Sequence, residues 1–518
     1  ADRAITSIST QTYPTSSVDL VIIDNGSTDG SVEYLAERWG AHGIVDNPTA
    51  KAHEPAFGAP STEFRNAGSN PGGFRSVTIV RNAHNHGGCG GFNTGLAFVD
   101  QRLATRDDAR PDFVWLADDD AEFPSDALAH LVGAATSDPK IGIVGSRMVD
   151  MNDHDHTLET TVFYDHTTGL LGPTPPPGHR CHDEHRRWRE SLGGDEIGHH
   201  TYTGIRDVDV VAACSLLARW DAVEKIGFWD HRYFIYSDDA DWGLRFVRAG
   251  WRVVCNLDAR VFHLPWHQKL TPARLYYGQR NVIWMGQKVL PDDQLKRVTF
   301  KRLGAVMRDA LRAWFHRRGF HADILRRTAS DVVQNRGGRL DYQEPPKEPV
   351  AEGLARVGAL RSGASIAFVC NNPDQWGRAR ETRERIREAL RTGAVKGSEP
   401  SWTFCLRNDV PGSHDDPEEP GDRHIVYSWR KRSKLRRQLG LLLTPPKVLV
   451  AFDQCGDFPL LTGSLDGHID SRAPELIQID RNGIGRRLAF LVVWCWTGVR
   501  IVWHVATLKR HESEGRYG

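Results

Sequence analysis

The stretch Val114-Trp115-Leu116-Ala117-Asp118-Asp119-Asp120 decides how this chain reads. A short apolar run suits a buried parallel strand. Here it ends in three adjacent carboxylates, followed by Ala121-Glu122-Phe123-Pro124. Like charges side by side repel, so their grouping needs a compensating partner. A divalent cation bridging a diphosphate supplies one: hard oxygen ligands hold the metal, and the metal neutralises phosphate charge. Taken alone, the triplet also fits the capped start of a helix.

Outward from this stretch, strands and helices alternate. Val18 to Ile23 is an apolar run ending in Asp24-Asn25-Gly26-Ser27-Thr28-Asp29-Gly30, a turn and helix-start signal, with a helix through Val32 to Trp39. Ser76 to Val80, Phe113 to Ala117 and Ile141 to Val144 read as further strands. The alternation predicts an α/β fold with a doubly wound, mostly parallel sheet. Ligands of such sheets bind beyond the carboxyl ends of the strands. Residues 151 to 205 break the pattern with Pro173, Pro175, Pro176, Pro177 and many histidines, and read as a long loop or insertion over the site, of the kind that serves as a lid.

The later chain divides again. A segment over 291–342 is helical and basic; between Lys301 and Leu340 ten Lys or Arg stand against three Asp. This fits a solvated bundle face or attraction to an anionic lipid surface. A linker from Gln343 to Glu352 precedes a second, smaller α/β domain at 353–482. Its strands are Ser365 to Cys370, His424 to Tyr427 and Lys447 to Phe452, and its Arg-rich helices are Arg378 to Arg391 and Lys431 to Leu443. Residues 484–510 place Arg486 and Arg487, then Trp494, Trp496 and Trp503, then Lys509 and Arg510 along a helix suited to a membrane interface. Its unbroken apolar part, Leu488 to Val499, is too short to span a bilayer, which needs about 20 residues.

Composition narrows the function. The 518 residues carry 66 basic and 66 acidic side chains, so the net charge is zero, and a protein that coats nucleic acid is excluded. The 16 tryptophans suit sugar faces and membrane interfaces. None of the 8 cysteines forms a CxxC pair, which fits reduced, buried thiols in a cytoplasmic protein.

Three more constellations carry chemistry. Tyr233-Phe234-Ile235-Tyr236-Ser237-Asp238-Asp239-Ala240-Asp241-Trp242 delivers paired acids to a helix start, where a carboxylate can serve as general base. Helix capping with surface charge is the alternative. Val261-Phe262-His263-Leu264-Pro265-Trp266-His267 offers an imidazole after a strand, either structural or the completion of a metal site. Asn82-Ala83-His84-Asn85-His86-Gly87-Gly88-Cys89-Gly90-Gly91-Phe92-Asn93 lets the backbone approach a ligand closely and suits a phosphate. His179, Cys181, His182 and His185 raise the thought of zinc, but their tight spacing fits a solvated turn better.

In this order the motifs resemble those of the family 2 glycosyltransferases with their GT-A nucleotide-sugar-binding fold, over about residues 1–290. The glycine run, Phe234 to Asp239 and His263-Leu264-Pro265-Trp266 look most like bacterial galactofuranosyltransferases and their rhamnosyltransferase relatives. The resemblance implies an inverting hexosyltransferase that uses Mn²⁺ or Mg²⁺. Asp118, Asp120 and His263 match its metal ligands, and the nitrogen ligand tilts the choice toward Mn²⁺. Asp239 matches the catalytic base, with Asp238 beside it. Asp24, Asn85, Gly87, Gly88, Gly90, Gly91 and Asp119 match the donor site; Trp242, Trp266 and His267 fall on the acceptor side.

The implied donor is a UDP or dTDP sugar, with UDP-galactofuranose favoured and dTDP-rhamnose the alternative. The implied acceptor is a cell-envelope glycan or polyprenyl-linked glycan at the inner face of the plasma membrane. A non-catalytic glycan-binding protein is the remaining alternative. The segment Val210 to Cys214 lacks the tryptophan pair of the chain-extending enzymes, which favours adding one or a few sugars. Family members begin with a strand before the helix at Arg3 to Gln11, so the resemblance implies a strand missing ahead of Ala1.

Overall fold

Apolar runs that end at turn-forming Asp, Asn and Gly build two adjacent sheets whose strand ends carry the acids. The computed structural model describes residues 1–61, 70–105, 110–265, 272–315, 319–342, 346–407, 422–427, 445–452, 465–470, 473–481 and 484–510. After α1 (Asp2–Ser9), the first sheet has β1 (Asp19–Asp24), β2 (Gly43–Asn47) and β3 (Ser76–Asn82), all parallel in the order β1-β3-β2. Helix α2 (Ser31–Trp39) buries Val32, Leu35, Ala36 and Trp39, one face at helical spacing. Gly30 and Gly40 bound it in left-handed conformations that favour glycine.

The second sheet is mixed. Its strands are β4 (Phe113–Ala117), β5 (Ile141–Asp150), β6 (Thr157–Glu159), β9 (Ile205–Val208), β10 (Ser215–Arg219) and β11 (Arg252–His263). The order is β4-β10-β5-β11-β9, with β6 paired to β5. Strand β10 runs antiparallel to both β4 and β5, and β11 runs parallel to β5. Strands β4, β5 and β11 therefore share one direction. Asp118, one residue past β4, and His263, the last residue of β11, reach the same edge. Within this region the all-parallel arrangement belongs to the first sheet.

The region 151–205 departs from the loop that its composition suggests. It forms β6, a hairpin of β7 (Phe163–Asp165) with β8 (Leu170–Gly172), and α5 (His182–Ser191). Phe163, Tyr164, Cys181, His185 and Trp188 are buried. His179 Nε2 lies 2.9 Å from Asp209 Oδ2, and Arg180 donates to the same carboxylate at 2.9 Å. His185 packs edge-on to Phe163. These histidines are neither in a solvated turn nor gathered as a metal set. Proline and histidine obscure periodicity here, but side-chain packing and the buried Asp209 supply the order.

Three helices follow, α8 (Pro272–Val289), α9 (Asp292–Phe315) and α10 (Gly319–Val333). Leu303, Val306, Met307 and Ala310 of α9 are buried, so the apolar stripe read from the sequence faces inward. The chain then forms β12 (Lys347–Pro349) and α11 (Val350–Arg356) where the sequence suggested a linker. A seven-stranded sheet takes β12 and adds β13 (Ser365–Cys370), β14 (Ser401–Arg407), β15 (Arg423–Tyr427), β16 (Val448–Phe452), β17 (Leu465–Asp470) and β18 (Ala473–Arg481). Its order is β12-β18-β17-β16-β13-β14-β15, parallel from β17 to β15, with α12 (Pro373–Arg391) packed beside it. The expected helix at Lys431 to Leu443 lies outside the described residues.

The last helix, α13 (Ile484–Thr507), is continuous for 24 residues, twice the unbroken apolar run. Arg500 and His504 do not interrupt it. One face packs on the helical layer: Thr497 and Ile501 are buried, and Trp494 Nε1 donates to the Met307 carbonyl at 2.9 Å. The other face carries Leu488, Val492, Trp496, Val499 and Trp503, with Trp503 74% exposed.

A buried charge network ties these parts together. Lys288 Nζ of α8 sits 2.6 Å from Asp230 Oδ2 and 3.0 Å from Asp241 Oδ1, and all three are essentially inaccessible. Burial raises the Asp230 carboxyl, but Arg232 and Lys288 outweigh it and hold the group below the usual range. Removing Lys288 leaves Asp230 with Arg232 alone and Asp241 with Arg245 alone, two buried acids with one cation fewer between them and no solvent to replace it. Lys288→Met is expected to destabilise the protein by about 3–5 kcal/mol, measured by urea unfolding; unchanged stability would refute the network's role.

Candidate active site

The chain edge defined by β4 and β11 gathers oxygen and nitrogen ligands. Asp120 Oδ1 lies 3.2 Å from His263 Nε2, and Asp118 Oδ2 lies 3.8 Å from it. One atom from each of the three residues falls within 4.8 Å of the others. Asp118 is partly exposed, Asp120 exposed and His263 buried, so the set opens on its carboxylate side. Two hard oxygens with one imidazole suit Mn²⁺, and less closely Mg²⁺. Asp119, between the two, is exposed.

Asp238 and Asp239 begin α7 (Asp238–Arg248), where the positive end of the helix dipole favours negative charge. Asp239 accepts from the Ala240 N–H at 2.7 Å and the Ala213 N–H at 3.3 Å. Burial raises both carboxyls, and Asp239 raises Asp238 further. Asp239 remains partly accessible while Asp238 is buried. An accessible carboxylate with raised basicity is what a general base requires.

Glu159 is the residue the sequence did not announce. It closes β6, in the region read as a loop. Burial pushes its carboxyl up to about 7; Asp239 adds to the rise and His263 opposes it. Glu159 is thus within electrostatic reach of both the paired acids and the ligand set. An isolated Glu in an aperiodic stretch carries no local signal of this.

The glycine run forms the start of α3 (Gly87–Phe98). Asn85 Oδ1 accepts from the Gly87 N–H at 2.8 Å, and Asn25 Nδ2 donates to the Gly87 carbonyl at 2.7 Å. Gly87 has φ +73°, and a Cβ there would lie 2.1 Å from the Phe234 carbonyl oxygen. Its glycine is required by packing against the turn that leads to Asp238. A Cβ on Gly90 would meet the His86 Cβ at 2.3 Å, again a packing demand. Gly88 has open space, and Gly91 only a 3.5 Å contact to Asn25. Asp24 is buried, with its carboxylate accepting from the N–H groups of Gly26 and Ser27 at 3.2 Å.

The three acceptor-side expectations fare differently. Trp242 is fully buried; its Nε1 donates to the Gly227 carbonyl at 2.8 Å, and its ring packs on Trp229 and Phe246. It is packed as a core residue, with no surface left for an acceptor to touch. Trp266 and His267 lie outside the described residues.

A parallel nucleotide-type sheet, a mixed sheet carrying an Asp-Asp-Asp turn, and a second acid pair on a helix define a GT-A-like fold. Residues 64–276 match the family model described as glycosyltransferase like family 2, and this segment is a glycosyltransferase domain of that family. N-acetylglucosaminyl-diphospho-decaprenol L-rhamnosyltransferase of Mycobacterium tuberculosis, in two strains, is 24% identical over 249 residues. That match covers 48% of this chain and 66% of the relative, just under two thirds of its length. A crystal structure of GalNAc-T7 with UDP, GalNAc and Mn²⁺ aligns with TM-score 0.35 at 12% identity, over 54% of this chain and 44% of that one.

The raised Glu159 carboxyl makes a stability prediction. Below about pH 4 the group is protonated in both folded and unfolded chains and costs nothing. Above pH 7 the folded chain holds it ionised among other acids, which destabilises the fold. Glu159→Gln is therefore expected to raise the metal-free unfolding free energy by about 1 kcal/mol at pH 8, with the gain lost below about pH 5. A gain that persists at low pH would contradict the assignment.

Proposed function

We propose that the chain is a metal-dependent, inverting glycosyltransferase that moves a sugar from a nucleoside diphosphate to a polyprenyl-linked or other cell-envelope glycan acceptor. One observation carries this reading: Asp118, Asp120 and His263 converge at the strand edge beside a second acid pair, Asp238 and Asp239, whose carboxyls burial raises. A Mn²⁺ or Mg²⁺ held by Asp118, Asp120 and His263 would supply charge neutralisation for a leaving diphosphate. Asp239 takes the proton of the acceptor hydroxyl, whose oxygen forms the new bond to the anomeric carbon as the bond to the diphosphate oxygen breaks. Attack opposite the leaving group inverts that carbon. Burial keeps Asp239 basic, and the Asp239 charge in turn raises the buried Asp238 beside it. The exposed N-terminus of α3 at Gly88 suits a phosphate oxygen, and exposed Asp119 suits sugar hydroxyls.

The motif resemblance supports galactofuranose as the sugar, and the printed activity of the mycobacterial relatives supports L-rhamnose. A donor panel with purified protein and Mn²⁺ separates them: one of UDP-galactofuranose and dTDP-rhamnose is expected to be turned over at least about tenfold faster. Asp239→Asn is expected to lower turnover by about 10²–10⁴-fold with donor binding kept. Unchanged turnover in that variant would sink the assigned base.

We further read α13 as the contact with an anionic membrane on the cytoplasmic side. Its outward apolar stripe has two tryptophans, Arg486 and Arg487 precede it, Lys509 and Arg510 follow it, and it contains no acidic residue. Its other face is fixed to the protein, which supports a helix lying flat in the interface rather than crossing. Flotation with anionic vesicles is expected for the protein and lost in Trp496→Ser/Trp503→Ser. Equal flotation of the two would defeat the anchor.

A further inference from the structure

The turn that delivers the acid pair is held in an unfavourable shape. Phe234, Tyr236 and Ser237 all have positive φ, at 68°, 69° and 60°. Side chains with a Cβ avoid this region, so three such residues within four need outside support. The support comes from α8. Asn281 Nδ2 donates to the carbonyls of Tyr233, Ile235 and Tyr236 at 3.0, 2.7 and 2.8 Å. Arg280 donates to the carbonyls of Arg232 and Tyr233 at 3.0 and 2.9 Å. Its Nε donates to Asn281 Oδ1 at 2.9 Å, which turns the amide nitrogen toward the turn. Both side chains are completely buried.

The same turn reaches the glycine run. The Cys89 N–H donates to the Phe234 carbonyl at 3.2 Å, and Gly87 leaves room for that carbonyl. One strained peptide segment thus abuts the start of α3 on one side and opens into Asp238 and Asp239 on the other.

We propose that Arg280 and Asn281 are positioning residues for the transfer reaction. They clamp residues 232–236 so that Asp239 faces the acceptor in register with the glycine run. Neither touches the reacting groups. This inference rests on the reading of Asp239 as the base.

The test measures nucleoside diphosphate release from UDP-galactofuranose or dTDP-rhamnose, whichever the protein turns over, with Mn²⁺. Asn281→Leu keeps the approximate size and removes both N–H donors. It is expected to lower kcat about 100-fold, with KM for the donor changed less than about threefold and the thermal midpoint of the seven-stranded region unmoved. Ser237→Gly removes the left-handed penalty at a position whose side chain makes no cap hydrogen bond. Placed in Asn281→Leu, it is expected to return kcat at least about tenfold, a rescue that a general packing role would not give. Arg280→Lys keeps the buried charge but not the forked donor, and is expected to fall between wild type and Asn281→Leu; it decides the matter if Asn281→Leu is insoluble.

Wild-type kcat in Asn281→Leu or Arg280→Lys, with Asp239→Asn inactive, overturns the clamp alone. Loss of kcat without rescue by Ser237→Gly overturns it as well. Full activity of Asp239→Asn overturns the underlying assignment of the base instead.

Discussion

Mutual repulsion among carboxylates is the constraint around which the site is built. Asp118 and Asp120 lie in the turn after one strand, Asp238 and Asp239 start a helix, and Glu159 closes a short strand beside them. Burial raises Asp238, Asp239 and Glu159, and the charge of Asp239 raises the other two further. No nearby Lys or Arg among the described residues forms an ion pair with these three. Their charge is balanced by backbone N–H groups, by the helix dipole and by the imidazole of His263. An arrangement that costs stability in this way is poised for positive charge brought from outside. Elsewhere the chain treats buried acids differently: Asp230, Asp241 and Asp209 are each matched by Lys, Arg or His from another segment.

The contrast explains how the scaffold holds the site. Below the acids, the Lys288 network locks α7 to α8. From α8, Arg280 and Asn281 reach up to the turn ahead of Asp238. On the far side, the glycine run accepts that turn by having no side chain at Gly87. The sheets contribute direction: because β4, β5 and β11 run one way, Asp118 and His263 meet although 145 residues separate them in sequence. Stability is thus concentrated around the acids rather than at them.

Much of this was legible in the sequence where local pattern and chemistry coincide. An apolar run ending in Asp118-Asp119-Asp120 specifies both a strand and the acids at its end, and the runs at Val18 to Ile23 and Ser365 to Cys370 give their strands within a residue. Legibility failed where tertiary contacts decide. Glu159 sits among Pro, His and Thr with no period. Arg280 and Asn281 act on backbone carbonyls about 45 residues earlier, a relation that leaves no spacing to detect. Trp242 looks like a sugar platform in sequence, an indole beside acids, but packing closes it over with Trp229 and Phe246. In α13, Arg500 and His504 break the apolar run without breaking the helix.

The most direct test of the site is Mn²⁺ binding followed by electron paramagnetic resonance, with and without UDP or dTDP. The free-ion signal should fall on addition of protein and fall further when the nucleotide is present. In Asp120→Asn/His263→Ala it should stay close to that of free Mn²⁺, while Glu159→Gln and Asp239→Asn retain binding. Undiminished Mn²⁺ binding in the double variant would contradict the site as described.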